Sequence, residues 1–362
     1  MSSIMGKLIK VSIFGESHGT AIGAVIDGLP SGEAIDEAKI AEQMERRAPG
    51  RDKSATPRNE SDSPIILSGI LDGKTTGMPL AMQIVNGDTR SSDYSYLKAT
   101  PRPSHADYPA MTKYGESFDI RGSGHFSGRL TAPIVFAGSV CRQILERRGI
   151  TVGGHIYSVG EIKDTPFDGV NVTSSQLNSL NKRSFAVIDS GAEVRMREEI
   201  EKARMDADSV GGVIEIAVTG LPVGIGEPMM GGVESALSAA VFGIPAVKGI
   251  EFGAGFGITA MRGSQANDAY AVRDGKVCTK TNNNGGILGG ITTSMPIIMR
   301  VAVKPTPSIG QPQATLSLES GEETTLAIKG RHDPCIVPRA VSAIEAAVCI
   351  TLLDLMKESG KL

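Results

Sequence analysis

The sequence predicts an α+β fold built on antiparallel sheet, in a single domain that spans residues 1–362. Three observations support this prediction. Short apolar runs typical of strands and longer amphipathic runs typical of helices are interleaved along the chain. Several consecutive strands are joined by connections that are too short for the crossover that parallel strands require. No segment has the composition of a linker or of a low-complexity tail.

The first half of the chain contains strands, two helices and one long polar stretch. Strands are predicted at "LIKVSIF" (8–14), "AIGAVI" (21–26), "PIILSGI" (64–70) and "PLAMQIV" (79–85). The run "DEAKIAEQMERRA" (36–48) predicts a helix, because it begins with acidic residues and ends with basic ones, as the helix dipole favours. An apolar run over 130–148 predicts a buried helix that ends at Gly149. Residues 86–128 between these elements are polar and show little periodicity.

The second half continues the same alternation without repeating the sequence. Strands are predicted at "HIYSVGEI" (155–162), "GGVIEIAVTGL" (211–221) and "SMPIIMRVAVK" (294–304). Glu/Arg and Glu/Lys pairs in "EVRMREEIEKARMDAD" (193–208) predict an exposed helix. Small residues in "VESALSAAVFG" (233–243) predict a closely packed helix, and a long closing helix is predicted from Pro338 to Ser359.

Composition excludes several classes of protein. Of 362 residues, 40% are hydrophobic and 21% are charged, and the net charge is only −3, so neither nucleic acid nor an acidic membrane surface is an expected partner. The four cysteines are far apart and form no CxxC pair, which argues against a disulfide framework or a zinc site. The N-terminal residues include no apolar signal region and no transmembrane run occurs, so a reducing cytoplasm is expected. Glycine is frequent, at 44 residues.

Five polar stretches carry most of the chemically versatile side chains. They are "GESHG" (15–19), "ERRAPGRDKSATPR" (45–58), "RPSHADY" (102–108), "RGSGHFSGR" (121–129) and "KGRHDPCIVPR" (329–339), and four of the five histidines lie in them. Taken singly, each loop has an ordinary explanation, because a loop arginine is usually solvated and Ser and Glu are common turn residues. Taken together, the concentration of histidine in Arg-rich loops predicts one pocket for anionic ligands.

Arginine and glycine in these loops indicate phosphate or carboxylate ligands. The arginine fork binds both groups in a bidentate manner, and bare glycine backbone allows close approach. The loop 121–129 is not a dinucleotide fingerprint, and no P-loop occurs. Lys304 in the turn "VKPTPSIG" (303–310) adds another positive charge. The segment "NNGGILGGITT" (283–293) adds more glycine backbone that a ligand can approach closely. We therefore expect two phosphate-bearing ligands.

The order of these motifs resembles that of the chorismate synthases. "GESHG", "RPSHADY", "RGSG…SGR", "GGILGG", "KPTPS" and "GRHDPC" occur in the family order, over residues 7–358. The resemblance implies a β-α-β sandwich with helices between two antiparallel sheets, usually assembled as a homotetramer. It also implies a 1,4-anti elimination of phosphate from 5-enolpyruvylshikimate 3-phosphate to give chorismate, with reduced FMN (FMNH2) as cofactor. The flavin lends an electron transiently and recovers it. Because the chain lacks the large insertion of bifunctional members, an external flavin reductase is expected.

The resemblance also implies roles for individual residues. His18 matches the histidine to which protonation of the departing phosphate is attributed, and a reference pKa near ~6.5 suits that task. His105 matches the histidine to which protonation or stabilisation of the reduced flavin is attributed. Asp333 matches the acid that works with two serines, here Ser17 and Ser127, in moving a proton from the flavin.

Binding positions carry over in the same way. Flavin contacts are implied at His125, Phe126, Ser127, Pro245, Ala246, Gly289, Lys304, Pro305, Thr306, Pro307, Ser308 and Arg331. Arg47 and Lys53 match positions linked with the nicotinamide nucleotide NADP, although in a chain without its own reductase we expect them to bind substrate or FMN phosphate. Arg129 and Arg339 are expected to anchor anions.

The chain departs from the common family pattern at one loop. Many members have Arg-Ser-Ser-Ala-Arg-Glu where this chain has "HFSGRL" (125–130), so His125 replaces an arginine and Leu130 replaces a glutamate. One positive and one negative charge are lost, so the net charge of this loop is unchanged. Lys53 in place of arginine lacks the bidentate fork.

Two other functions are compatible with the motifs alone. A metal-dependent phosphoester hydrolase could use His18, His105, His332 and Asp333 as ligands, although no i, i+4 histidine pair or carboxylate cluster is present. A non-catalytic binder of anionic metabolites would need only the Arg-rich loops. Loss of activity with a chelator would favour the first, and full turnover by a His18→Ala variant would favour the second.

Overall fold

The computed structural model describes residues 3–50, 62–87, 96–328 and 333–362. Within these ranges the chain forms two five-stranded antiparallel sheets with helices packed between them, together with four small two-stranded ribbons. The α+β class and the sandwich that the resemblance implied are confirmed. The predicted positions Lys53 and Arg331, and also His332, lie outside the described residues.

The first sheet is built from the N-terminal part of the chain. Its strands are ordered β1-β2-β3-β7-β4, and every neighbouring pair is antiparallel. Alternate residues of β3 and β7, such as Ile22, Ile26, Met82 and Ile84, are fully buried, as expected for strands with one face on the core. The strands of this region are β1 (Ile4–Met5), β2 (Lys10–Gly15), β3 (Ala21–Asp27), β4 (Ile65–Ser68), β5 (Ile70–Leu71), β6 (Lys74–Thr75) and β7 (Leu80–Val85).

The second sheet has the order β11-β16-β10-β8-β9, and its register is set by long pairings of β10 with β8 and β16. The strands of this region are β8 (Thr151–Val159), β9 (Ile162–Lys163), β10 (Gly212–Thr219), β11 (Val247–Phe252), β12 (Tyr270–Arg273), β13 (Lys276–Thr279), β14 (Ile287–Leu288), β15 (Ile291–Thr292), β16 (Ile297–Val303), β17 (Gln313–Leu316) and β18 (Glu323–Leu326).

Two long helices fill the space between the sheets. The α-helices are α1 (Glu37–Arg47), α2 (Asp107–Tyr114), α3 (Thr131–Glu146), α4 (Ser174–Leu180), α5 (Ser190–Met205), α6 (Val233–Phe242), α7 (Gly263–Ala266) and α8 (Val337–Glu358). α3 packs on the first sheet, α8 packs on the second, and the two helices pack on each other. Gly138 permits this approach, because a Cβ there would overlap the Cβ of Ala346. None of the helices in the described ranges is long and apolar enough to cross a membrane.

A buried ion cluster joins the helical layer to the second sheet. The Glu345 carboxylate of α8 is fully buried and accepts hydrogen bonds from Arg46 Nη1 (2.7 Å), Arg142 Nη2 (2.8 Å) and the Gly154 backbone N–H (2.8 Å). Burial alone would raise the pKa of Glu345, but the two guanidinium charges lower it below its ordinary value. The cluster thus ties α1, α3 and β8 to α8.

Most predicted elements are present within one to a few residues of their predicted bounds. The helix predicted over 130–148 begins at Thr131 and ends at Glu146. Helix α1 has Asp36 as its N-cap and two arginines in its last turn, as its sequence predicted. The polar stretch 86–128, for which no helix is predicted, contains α2. The four cysteines are free, and Cys141 and Cys349 are fully buried, as expected for core thiols.

Candidate active site

A cavity of about 1150 Å³ lies where the predicted anion-binding loops meet. Its wall includes the start of β1, the ends of the helical layer, and loops that follow β2, β7 and β16. Nine of the predicted site residues line it, namely His105, His125, Phe126, Pro245, Ala246, Lys304, Thr306, Pro307 and Asp333. The structure therefore brings together residues that are more than 200 positions apart in sequence.

The "GESHG" loop leaves the end of β2 and lies against the loop 121–129. The backbone N–H of Ser17 donates to the Gly124 carbonyl (3.1 Å), and Ser17 is 5% exposed. Gly122 sits so close to this loop that a Cβ on it would lie 2.7 Å from His18 Nε2 and 2.8 Å from Ser17 Oγ. Residues 122–124 all have positive φ, which is why glycine occurs on both sides of Ser123. Glu16 lines the cavity, and Ser17 and His18 follow directly.

His105 belongs to a buried polar network under the same loop. Arg102 donates to both carboxylate oxygens of Asp107 (2.7 Å each) and to Ser123 Oγ (3.0 Å). His105 Nε2 is 3.2 Å from Ser123 Oγ, and Nδ1 is 3.0 Å from Asp107 Oδ1. Burial alone would raise the pKa of Asp107, but hydrogen bonds from Arg102 and His105 hold it well below its ordinary value.

Several contacts fix the orientation of the His105 ring. Its Nδ1 accepts hydrogen bonds from the Ala106 backbone N–H (2.9 Å) and from Arg102 Nη2 (3.3 Å). The Asp107 carboxylate, which is 1% exposed, lies 3.0 Å from the same nitrogen. Asp107 was not given a role from the sequence, although it lies in the quoted motif.

The predicted arginines converge, but they are held by acidic partners. Arg47 forms an ion pair with Asp62, and Arg129 Nη1 donates to the other oxygen of the same carboxylate (2.9 Å). All three are at most 7% exposed. Arg339 Nη1 donates to Asp333 Oδ2 (2.9 Å), and its Nε donates to the Arg47 carbonyl (3.1 Å). Asp62 organises this group and was not predicted, because nothing in its local sequence distinguishes it.

Two lysines and one hydroxyl form a second polar patch on the cavity wall. Lys304 Nζ donates to the Ser104 carbonyl (2.6 Å), and Lys248 on β11 lines the cavity beside it. Partial burial lowers the pKa of Lys304, and the Lys248 charge lowers it further. Thr306 Oγ1 is buried and has no hydrogen-bond partner among the described residues. A buried polar atom without a partner is costly, so this patch suits an anionic ligand that accepts hydrogen bonds.

Three aromatic side chains form an apolar part of the wall. The Phe126 ring lies 5.8 Å from Phe118 and 6.3 Å from Tyr114 between centroids, and all three residues line the cavity. Phe126 is 42% exposed. The cavity wall thus combines a cluster of tilted aromatic rings with cationic and hydroxyl groups.

Some predicted positions do not line the cavity. Ser17, His18 and Ser127, to which the resemblance gave catalytic roles, are not among the lining residues, and neither are Arg47, Arg129 and Arg339. Pro305 and Ser308 are sequence neighbours of lining residues, and Gly289 lies in the turn between β14 and β15. Within the described ranges, no group of three or more His, Cys, Asp or Glu side chains is arranged to hold a metal ion.

Comparison with known proteins gives one consistent answer. A family profile for chorismate synthase matches residues 9–356. The chain is 46% identical over 349 residues to chorismate synthase of Thermococcus kodakarensis, with 96% of each chain covered. It is 43% identical over 358 residues to that of Methanosarcina barkeri, covering 99% of this chain and 97% of the relative. A crystal structure of chorismate synthase superposes with a TM-score of 0.75 at 25% identity, covering 98% of this chain and 93% of that one.

The chain therefore belongs to the chorismate synthase family. Members of this family are lyases that catalyse the last common step of the shikimate pathway, which leads to the aromatic amino acids.

Proposed function

We propose that this chain converts 5-enolpyruvylshikimate 3-phosphate to chorismate and inorganic phosphate in the cavity described above, with reduced FMN as cofactor. The allylic C–O bond to phosphate breaks, a ring C–H bond loses its proton, and a second ring double bond forms, so no net oxidation occurs. The observation that carries the proposal is the convergence of the His18 loop, His105, Asp333 and several basic side chains around one cavity.

The histidines serve as proton donors in this proposal. His18, which lies on the "GESHG" loop with its ring packed against Gly122 of the 121–129 loop, protonates the departing phosphate. His105 presents its imidazole to the cavity beside the cofactor, and Arg102, Ala106 and Ser123 fix the orientation of the ring. Asp333, acting with Ser17 and Ser127, would take up the proton that leaves the flavin, and Arg339 fixes the orientation of its carboxylate.

The residues on the cavity wall fit a flavin mononucleotide. Lys304 and Lys248 supply positive charge for its phosphate, and the Thr306 hydroxyl supplies a donor that has no partner among the residues the structure describes. Phe126, with Tyr114 and Phe118 behind it, offers a surface for the isoalloxazine ring. Pro245, Ala246 and Pro307 complete the contact surface. Reduced FMN, when bound, would lend an electron to the substrate as the allylic phosphate departs and would then regain it.

The remaining anionic groups of the substrate are assigned to the arginines. Arg47 and Arg129 are fixed by Asp62, and Arg339 is fixed by Asp333 and the Arg47 carbonyl, so they provide a preorganised positive field. We assign this field to the substrate phosphate and carboxylates rather than to NADP. A separate flavin reductase supplies the reduced cofactor.

We further propose one domain, a homotetramer and a cytoplasmic location. Apolar side chains are exposed on the outer face of the first sheet, for example Phe14 (40%), Leu67 (57%) and Val85 (53%), which supports burial against another copy. Sedimentation of the purified protein at micromolar concentration tests the tetramer.

Anaerobic turnover tests the proposed function. Purified protein is mixed with 5-enolpyruvylshikimate 3-phosphate, and chorismate absorbance is followed with photoreduced FMN, with oxidised FMN, with oxidised FMN plus NADPH, and with photoreduced FMN plus a chelator. We expect chorismate in the first and last mixtures alone. Turnover with oxidised FMN plus NADPH would require an intrinsic reductase, and no chorismate in any mixture would refute the proposal.

A further inference from the structure

His125 lies at the centre of a contact between the N-terminal strand and the "GESHG" loop. Its Nδ1 is 2.7 Å from the carbonyl oxygen of Gly15, and its Nε2 is 2.7 Å from Ser3 Oγ. Both ring nitrogens are therefore used within the protein, although His125 also lines the cavity.

These contacts define which nitrogen carries the proton. A carbonyl oxygen can only accept a hydrogen bond, so Nδ1 of His125 must be the donor to Gly15. In the neutral ring, Nε2 then accepts from the Ser3 hydroxyl, which donates. The Nδ1–H tautomer is thus fixed by two partners that lie on strands β1 and β2 or at their ends.

The bond to Gly15 is one half of a double connection between two catalytic loops. Gly15 has a positive φ of 94° and directly precedes Glu16, Ser17 and His18. Two residues further on, the Ser17 N–H donates to the carbonyl of Gly124, the neighbour of His125. Two hydrogen bonds on consecutive residues of the 121–129 loop therefore hold both ends of the turn that leads to His18.

We infer that His125 is a positioning residue for His18 and does not bind the flavin phosphate. Its Nδ1–H fixes the carbonyl of Gly15, and the turn that carries Ser17 and His18 follows from that point. Gly122 on the same loop packs against the His18 ring, so displacement of the loop shifts the ring directly. This inference rests on the proposed function, because it assigns His125 to the alignment of the proton donor.

A matched pair of variants tests the inference. His125→Asn keeps an N–H donor two bonds from Cβ, at the place of Nδ1, whereas His125→Leu has nearly the same shape as asparagine and no donor. The kcat of each is measured anaerobically with photoreduced FMN at saturation. Oxidised FMN affinity is measured by quenching of flavin fluorescence, and the tautomer of His125 is read in wild-type protein from ¹⁵N-histidine NMR, with His125→Asn providing the assignment.

We expect His125→Leu to lower kcat by about 10- to 100-fold, because a displacement of roughly 1 Å has an effect of that order. FMN affinity should stay within about twofold in both variants, and His125→Asn should restore most of kcat. An FMN affinity reduced about tenfold in both variants, with kcat unchanged, would overturn the inference. That result would mean that His125 contributes to flavin binding and not to the alignment of His18. An Nε2–H tautomer in the NMR spectrum would also overturn it.

The NMR measurement does not depend on activity. If wild-type protein makes no chorismate, the proposed function fails, while the tautomer still decides whether the connection from His125 to Gly15 exists. If His125→Leu does not fold, the tautomer of His125 in the wild-type spectrum decides the inference.

Discussion

Replacement of His155 by leucine is expected to destabilise the protein strongly, although this residue lies outside the cavity. His155 is the only histidine outside the five polar loops, and it lies on β8 with no exposed surface. Its Nδ1 is 2.9 Å from Asp164 Oδ2, and its Nε2 is 3.0 Å from Glu215 Oε2. Both oxygens belong to buried carboxylates, and the hydrogen bonds to them favour the protonated form of the ring.

The magnitude follows from what the variant leaves behind. Two hydrogen bonds to charged groups contribute about 1.5–3 kcal/mol each. Asp164 keeps the N–H donors of Ile188 and Asp189, and Glu215 keeps that of Phe167 (2.7 Å), so neither carboxylate is fully stripped of partners. We therefore expect His155→Leu to lower the free energy of unfolding by about 3–5 kcal/mol, as when one partner of a buried ion pair is removed.

The pH dependence of this loss has a definite sign. Burial alone would lower the pKa of His155, but hydrogen bonds to Asp164 and Glu215 raise it above its ordinary value of about 6.5. The stabilising contribution is therefore fully present below about pH 6.5 and is lost as the pH rises through the folded-state pKa. The difference between wild type and variant should be larger at pH 6 than at pH 9.

Urea unfolding followed by circular dichroism measures both effects. The double variant His155→Leu/Glu215→Gln is the matched control, because Gln keeps an acceptor for Phe167 but carries no charge. We expect it to recover about 1–2 kcal/mol of the loss, since one stranded anion is removed. A His155→Leu protein within about 1 kcal/mol of wild type at pH 6 would contradict the reasoning.

Further predictions concern the packing of the core and the cavity wall. Gly138→Ala should cost about 1–3 kcal/mol of stability, because the new Cβ overlaps Ala346, whereas Gly257→Ala, with open space, should be near neutral in the same urea assay. Phe126→Ala should weaken oxidised FMN affinity by about two- to tenfold in a fluorescence titration, while exposed Phe256→Ala should leave it unchanged. Lys248→Ala should weaken FMN affinity about fivefold or less, with the difference shrinking at high salt.

Local pattern predicted the regular elements well. The strands β3 and β7 alternate buried and less buried residues, and α3 and α8 are long apolar runs, so periodicity sufficed to find them. Helix α2 was missed because it lies in a polar stretch and has only a weak apolar face. Its position depends on packing of Met111 against a small separate core that includes Leu97 and Ile120.

The composition of the site was predictable, and its internal pairing was not. Concentration of histidine and arginine in five loops indicated one pocket for anionic ligands, and four of those loops contribute residues to the cavity wall. The partnership of Asp62 with Arg129 joins residues 67 positions apart, and no local signal identifies such a tertiary contact. The same holds for the buried hydroxyl of Thr306, whose lack of a partner within the described part of the chain only the packed structure reveals.

The most direct test of the central claim compares wild type with His18→Asn in anaerobic turnover with photoreduced FMN. Wild type should form chorismate and phosphate in equal amounts without net consumption of the reduced flavin. His18→Asn should be slower by about 10²- to 10⁴-fold, the usual contribution of a positioned general acid, with FMN affinity within about twofold of wild type. Full turnover by His18→Asn, or phosphate release without chorismate, would contradict the assignment of His18 as the general acid of this elimination.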